Sequence, residues 1–201
     1  MRRSALVLLL VFGLVAGACG GGDDDASSGG SSSDGSSDTT AASEFLFSGD
    51  FEQVCRGIPQ EGGSAVGTAT GASPLLVFAG VDPEYNQAFG VVPDEWQPEF
   101  GDEATIEMVL CLSRTSETAS ELCEGYQDDG IEWAVQTFDA SYDVQLRAAT
   151  TGEVIASTTL DAVSDGCPMF SSYSEGDPSP IPDYARPDDA IQAFAAEHVL
   201  G

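Results

Sequence analysis

Two neighbouring segments of alternating apolar and polar side chains constrain the fold more than any other feature of the chain. The apolar face of residues 142–148 consists of Tyr142, Val144, Leu146 and Ala148, and that of residues 153–163 includes Val154, Ala156, Thr158 and Leu160. A period of two is typical of a half-buried β-strand. Between the segments, Thr150-Thr151-Gly152 supplies a glycine for a tight turn. The pattern therefore predicts an antiparallel hairpin.

Three further segments predict strands. Residues 104–112 alternate, with Ile106, Met108, Leu110 and Leu112 on one face and Thr105, Glu107, Val109 and Cys111 on the other. Residues 75–79 form a short apolar run between Pro74 and Gly80, as in a buried strand. Residues 131–137 alternate again, through Ile131, Trp133, Val135 and Thr137.

Helical patterns are concentrated at the C-terminus. Pro187 suits a first helical turn, and Asp188 and Asp189 favour its positive end. One apolar stripe follows at helical spacing, made of Ile191, Phe194, Ala195, His198 and Val199. We expect this helix to pack on the sheet. A short helix is also expected near residues 50–56, and a surface loop over residues 171–187.

These elements predict one α+β, β-rich domain over residues 44–201. We expect an antiparallel sheet or small sandwich of roughly five to seven strands, with a C-terminal helix. A chain of this length can bury a core large enough to be stable by itself.

Four cysteines lie in this domain: Cys55, Cys111, Cys123 and Cys167. An even number in an exported domain predicts two disulfides, and four cysteines allow three pairings. Of these we favour Cys111–Cys123 with Cys55–Cys167. The alternative is a metal cluster or redox pair, but no two cysteines have C-x-x-C spacing.

The first 18 residues have the order of a secretory signal. Arg2 and Arg3 precede an apolar run over residues 5–15, and small residues occupy positions 16–18. The run is shorter than the roughly 20 residues that a transmembrane helix needs.

Residues 15–19, Val-Ala-Gly-Ala-Cys, resemble a bacterial lipobox, although Ala16 stands where Leu or Val is usual. The resemblance implies that Cys19 is lipidated, with palmitate among its acyl chains, and anchors the protein to the extracytoplasmic side of the cell membrane. The alternative is a plain signal peptide with an incidental cysteine. Residues 20–43 are rich in Gly, Ser and Asp, so we interpret residues 19–43 as the lipidated cysteine and a flexible tether.

The charge of the chain excludes several functions. The formal net charge is −28, and all six basic residues are arginines. Without lysine, neither a Walker phosphate-binding loop nor a Schiff-base lysine nor a Ser-x-x-Lys pair can form. Nucleic acid is excluded as a partner, since its affinity comes from basic residues that neutralise phosphates.

No catalytic motif stands out. His198 is the one histidine, and on the helix stripe it is expected to be partly buried or to cap the helix end. A two-carboxylate hydrolase has many candidate acids: Asp82, Glu84, Asp94, Glu95, Asp128 and Asp129. Calcium is the one metal ion that the composition favours, at residues 127–130 or 101–103, although neither segment has the spacing of an EF-hand.

Aromatic side chains offer a carbohydrate or peptide platform, the candidates being Tyr85, Trp96, Tyr126, Trp133, Tyr142, Tyr173 and Tyr184. Trp133 and Tyr142 lie in strand patterns, where a core position is expected. Trp96 lies in a loop and is the best candidate for exposure, although core or loop packing is favoured for the set.

A second resemblance spans residues 55–199. Its motifs are Cys55-Arg56-Gly57, Leu110-Cys111-Leu112, Cys123 with Tyr126, residues 149–152 (Ala-Thr-Thr-Gly), and Cys167-Pro168. The order is similar to that of an uncharacterised extracytoplasmic domain of bacterial secreted proteins and lipoproteins. This resemblance implies a disulfide-stapled architecture and no particular activity.

The sequence thus predicts a lipid-anchored protein of the cell envelope whose domain binds an envelope protein or another ligand and is not an enzyme. The alternatives are a carboxylate-based hydrolase of the envelope and a purely structural surface protein.

Overall fold

The computed structural model describes residues 46–174 and 176–200, and within them six strands form one open sheet. The strands are β1 (Leu75–Val81), β2 (Glu84–Gln87), β3 (Met108–Asp128), β4 (Ile131–Ala148), β5 (Val154–Ala162) and β6 (Ile181–Tyr184). One α-helix, α1 (Asp188–Val199), follows the sheet. Short 3-10 helices occupy Ser48–Arg56, Asp94–Trp96 and Glu103–Thr105. The β-rich α+β class with a C-terminal helix is confirmed.

The centre of the sheet is a long hairpin made of β3 and β4. The strand order is β2-β1-β3-β4-β5, and β6 pairs with β4 beyond the end of β5. β1 and β3 run parallel, because the chain crosses back over the sheet between β2 and β3. β4 and β6 are parallel as well. The sheet is therefore mixed, whereas an antiparallel sheet or a small sandwich was expected.

Both faces of β1 are buried over residues 75–78, as are both faces of β3 over residues 108–112. In β1, Leu75 and Val77 join a helix-side core with α1, while Leu76 and Phe78 join an opposite core beneath the first 3-10 helix. Successive side chains of a strand point to opposite faces. A strand covered on both faces is apolar at every position, and the buried strand predicted at residues 75–79 is confirmed.

The predicted terminal helix is also confirmed. It packs Ile191, Ala195 and Val199 into the helix-side core, and each is at most 1% exposed. Pro187 is the N-cap residue, and its carbonyl oxygen accepts a hydrogen bond from the Ile191 amide at 2.9 Å.

The hairpin predicted first is β4 with β5. Tyr142 lies opposite Leu160, and Leu146 lies opposite Ala156, so these apolar positions share one face as their alternation indicated. Val154 was expected on the same face, but a register shift places it opposite Arg147 and leaves it 48% exposed. The strand predicted at residues 131–137 forms the first part of β4.

Several elements differ from expectation: β2 and β6 were not predicted, β3 continues to Asp128 rather than ending near residue 112, and β4 joins the two strands expected at residues 131–137 and 142–148. β3 begins at Met108 rather than near residue 104, because the amides of Thr105 and Ile106 donate to the Asp102 and Glu103 carbonyls in a 3-10 turn. β6 lies inside the loop expected at residues 171–187, where its backbone pairs with the edge of β4.

The expected disulfide pairing is wrong. The four cysteines form Cys55–Cys111 and Cys123–Cys167, with Cα–Cα distances of 5.4 and 5.6 Å. Cys111 and Cys123 both lie in β3, and an extended chain rises about 3.3 Å per residue, which separates them by roughly 35–40 Å. A disulfide requires Cα atoms within about 7 Å, so these two residues cannot bond.

Candidate functional site

A third apolar cluster lies away from both cores, at the end of the β3–β4 hairpin. Cys123, Trp133 and Val135 are its buried members, and Tyr126, Tyr173 and Ile181 pack against them. We call this region, residues 122–135 with residues 167–173, the hairpin end. Its side chains come from segments that lie far apart in the sequence. The pairing of β3 and β6 with β4 brings the strand residues among them together.

Three aromatic rings stack across the hairpin end. The Trp133 ring lies between Tyr126, at a centroid distance of 6.2 Å, and Tyr173, at 5.7 Å. The interplanar angles are 16° and 22°. Trp133 is only 7% exposed, because its neighbours cover it. Of the aromatic residues proposed as a platform, Tyr126 and Tyr173 are half-buried at the hairpin end, and Tyr184 is half-buried elsewhere, against Phe138.

The segment after Cys167 is fixed to this stack at three points. Cys167 is bonded to Cys123, and the Tyr126 hydroxyl donates to the Pro168 carbonyl oxygen. The Trp133 Nε1–H donates to the Ser171 hydroxyl at 3.3 Å. The backbone of residues 167–171 is therefore held in place on the hairpin end.

Two large apolar side chains project from this held segment. Met169 and Phe170 are each 88% exposed, although their neighbours in sequence are anchored. A cleft of about 440 Å³ lies between this segment and the β3–β4 turn. Met169 and Phe170 line it, together with Tyr126, Trp133, Tyr173 and other residues. A second cleft, of about 520 Å³, borders the same aromatic stack and includes Glu124 and Glu132. The hairpin end thus combines exposed apolar groups, concave surface and nearby carboxylates.

An arginine-lined groove lies elsewhere, beside the Cys55–Cys111 disulfide, and has a volume of about 550 Å³. Arg147 in this groove is held by neutral acceptors: its Nε and one Nη donate to the Gln145 side-chain oxygen, and the other Nη donates to the Gly152 carbonyl. Asp82 and Asp143 line the same groove, so its charges are of both signs.

The most buried carboxylate is Glu107, which is 1% exposed. Its side chain accepts hydrogen bonds from the Gly67 amide at 2.8 Å, the Thr68 hydroxyl at 2.7 Å and the Ala69 amide. Burial by itself raises the pKa of Glu107, but hydrogen bonds from Thr68, Ser73 and the loop amides lower it by more, so the pKa lies below its ordinary value. Glu107 therefore ties the loop before β1 to the start of β3.

The sequence pattern had placed Glu107 on a strand face next to Val109, with no indication of a special role. The donors that stabilise its charge lie in a Gly/Ala/Thr-rich loop about 40 residues earlier. Only the contact between this loop and β3 reveals the carboxylate as a structural group.

The acidic residues proposed for hydrolysis do not lie together in one element. Asp82 and Glu84 flank the β1–β2 turn, Asp94 and Glu95 lie in the second 3-10 helix, and Asp128 and Asp129 lie at the β3–β4 turn. All six are exposed.

The two segments proposed for calcium lie in separate loops, one at the β3–β4 turn and one before the third 3-10 helix. Within the described part of the chain, the single group of three metal-ligand residues in close range is Glu121 with Cys123 and Cys167. The two sulfur atoms are bonded to each other, so they provide no thiolate for a metal.

The remaining candidates have packing roles. His198 is half-buried on α1 and meets the ring of Phe194 edge-on at 5.6 Å, as a partly buried position predicted. Trp96, the aromatic residue named for exposure, is 6% exposed and belongs to the helix-side core, in line with the favoured packing. Tyr142 is buried there as well, and its hydroxyl donates to the Ala185 carbonyl at 3.0 Å.

The exposure of Met169 and Phe170 is not predicted by the sequence pattern. The one local signal was an apolar pair directly after Cys167-Pro168, followed by a polar loop. Their exposure could not be foreseen, because it depends on the attachment of Pro168 and Ser171 to the aromatic stack.

A comparison with protein-family models, with curated proteins and with solved structures finds no match to this chain. Among the residues that the structure describes, no helix is long and apolar enough to cross a membrane. The predicted signal peptide, the tether and the lipidation site Cys19 lie outside these residues.

Proposed function

We propose that this protein is a lipid-anchored, extracytoplasmic binding protein without enzymatic activity, and that the hairpin end is its ligand-binding surface. The ligand that fits this surface is a protein segment with apolar side chains next to basic ones. The anchor is Cys19, and the tether of residues 20–43 connects it to the domain.

The extracytoplasmic location is supported by the cysteines of the domain. All four are paired in two disulfides, and such bonds persist in oxidising compartments and are rare in the cytosol. The charged, apolar and small-residue order of residues 1–18 supports export, and the lipobox-like residues 15–19 support lipidation.

The observation that carries the binding proposal is the exposure of Met169 and Phe170 on an anchored backbone. A flexible loop loses conformational entropy when it binds, whereas a backbone already fixed by a disulfide and hydrogen bonds loses less. Exposed apolar side chains on a fixed scaffold are typical of contact residues at protein interfaces.

The class of ligand follows from the surroundings of these side chains. Tyr126 and Trp133 line both neighbouring clefts, and one cleft is also lined by Met169, Phe170 and Tyr173. These side chains offer apolar contacts to a partner. Glu124, Asp128 and Glu132 border the clefts, and the whole chain carries a net charge of −28. Such a field attracts basic groups and repels anionic ligands.

Site-specific photo-crosslinking in cells of the source organism tests this proposal. A benzophenone amino acid replaces Phe170 in the full-length chain, and in a matched control it replaces Phe100, a fully exposed phenylalanine outside the hairpin end. We expect one dominant cross-linked protein from position 170, which disappears when Met169→Ser is added, and no such product from position 100. Identical products from both positions would contradict the binding surface.

Mass spectrometry of the mature protein tests the anchor separately. We expect an acylated N-terminal peptide that begins at Cys19, and Cys19→Ser should release the protein from the membrane fraction. An unmodified mature N-terminus at another residue would overturn the lipid anchor and leave the binding surface untouched.

A further inference from the structure

The outer edge of β5 has no strand partner among the described residues. β5 is the last strand on one side of the sheet, and eight of its nine residues pair with β4, the exception being Ile155 at the register shift. We propose that two copies of this chain associate through this edge, with the two β5 strands antiparallel, so that one sheet continues across both copies. This inference is independent of the ligand bound at the hairpin end.

The contrast with the other long open edge supports this choice. β1 pairs with β3 only as far as Ser113, so the rest of β3 presents an edge as well. That edge is irregular, since the register with β4 shifts at three places between Arg114 and Tyr126. It is also acidic, through Glu117, Glu121, Glu124 and Asp128. Bulges and charges are the usual features that prevent edge-to-edge pairing.

β5 has few of these features. Its pairing with β4 is regular over residues 156–162, with one shift near Val154, and Asp161 is its one charged residue. Val154 and Ile155 are 48% and 40% exposed. Since the chain has a net charge of −28, two copies approach each other with less local repulsion at this regular, nearly uncharged edge than at the acidic edge of β3.

The sequence of β5 is compatible with pairing to itself about a two-fold axis. An axis through Thr158 places Ile155 opposite Asp161 of the partner subunit and Ser157 opposite Thr159 of the partner subunit. No two carboxylates then face each other. Moving the axis to Ser157 would instead place Glu153 opposite the partner's Asp161, and facing like charges are destabilising. Thr158 is also the central residue of β5, so an axis there pairs the strand over its full length, and this axis is favoured.

Disulfide trapping in the full-length chain tests the interface. In an antiparallel pair, residues on the axis have Cα atoms about 4.5–5.5 Å apart, within the range of a disulfide. We expect Thr158→Cys to give a covalent homodimer on a non-reducing gel. Thr118→Cys, an exposed threonine on the irregular β3 edge, is the matched control and should give little. Equal cross-linking at both positions, none at Thr158→Cys, or a cross-link to a different protein would overturn the proposal.

Charge variants test the same interface without a new cysteine. Ile155→Glu with Ser157→Glu adds two carboxylates to the β5 edge, and Ser116→Glu with Thr118→Glu adds two to the β3 edge. Analytical ultracentrifugation of the full-length protein in detergent should show at least a tenfold weaker dimer for the first pair and little change for the second. Salt should strengthen the wild-type dimer, because it screens repulsion between two acidic copies. A wild-type monomer at every concentration and salt level would contradict the inference.

Discussion

The carboxylate of Glu107 accepts a hydrogen bond from the hydroxyl of Thr68 at 2.7 Å, although the two residues are 39 positions apart. Glu107 is buried directly before β3, and Thr68 lies in an exposed loop. This contact, with those from two neighbouring amides, replaces the water that a carboxylate would otherwise bind. A buried charge with several charge-assisted hydrogen bonds is costly to disrupt.

We expect Glu107→Gln to lower the free energy of unfolding by about 2–3 kcal/mol, because the amide of glutamine places N–H donors against donors of the loop. Denaturation by urea measures the change. Glu61→Gln is the control, since Glu61 is exposed, and should change stability by less than about 0.5 kcal/mol. Equal losses in the two variants would contradict a structural role for Glu107.

The stability difference between the wild type and Glu107→Gln should depend on pH. The pKa of Glu107 is lowered in the fold from an ordinary value of 4.5, so the folded state favours the charged form. The stabilisation is complete above the unfolded pKa and is lost as the pH falls through the folded pKa. Urea titrations from neutral pH downwards should show the difference shrinking below about pH 4.5. A difference that does not change with pH would contradict the lowered pKa.

Tryptic digestion without reduction should reveal the disulfide pairing directly. Trypsin cleaves after arginine, and the chain has arginines at positions 56, 114 and 147. Arg186 is followed by proline and resists cleavage, so the four cysteines fall on four different peptides. We expect the peptide ending at Arg56 to be linked to residues 57–114, and residues 115–147 to residues 148–201. A link between residues 57–114 and 115–147 would contradict this pairing.

Gly80 is required by the tight contact between β1 and β2. A Cβ atom at this position would lie 2.0 Å from the backbone oxygen of Glu84, so the backbone of one of the two paired strands would have to shift. Gly80→Ala should lower the free energy of unfolding by about 1–3 kcal/mol in thermal or chemical denaturation. Gly49→Ala is the matched control, since no atom lies within 4 Å of its Cβ position. A Gly80 variant as stable as the Gly49 variant would show that the hairpin adapts.

Local patterns were sufficient for the elements whose side chains alternate or repeat against one surface. The β4–β5 hairpin was predicted with most of its inward-facing side chains, because each strand buries one face; Val154 is the exception, since a register shift turns it off that face. The helix that packs Ile191, Ala195 and Val199 was predicted from its apolar stripe. β6 was missed, because its residues Ile-Pro-Asp-Tyr have no alternation of their own and pair with β4 only through the backbone.

The sequence by itself determined a β-rich domain with a terminal helix, an excess of negative charge and four cysteines suited to an oxidising compartment. These properties depend on neighbouring residues or on simple counts. The tertiary structure decided which cysteines bond, which carboxylate is buried and which apolar side chains stay exposed. Each of these depends on strand order and register, which place residues about 40–60 positions apart in contact. Local periodicity contains no information on such distances, so the structure alone brings Cys123 to Cys167 and leaves Phe170 in solvent.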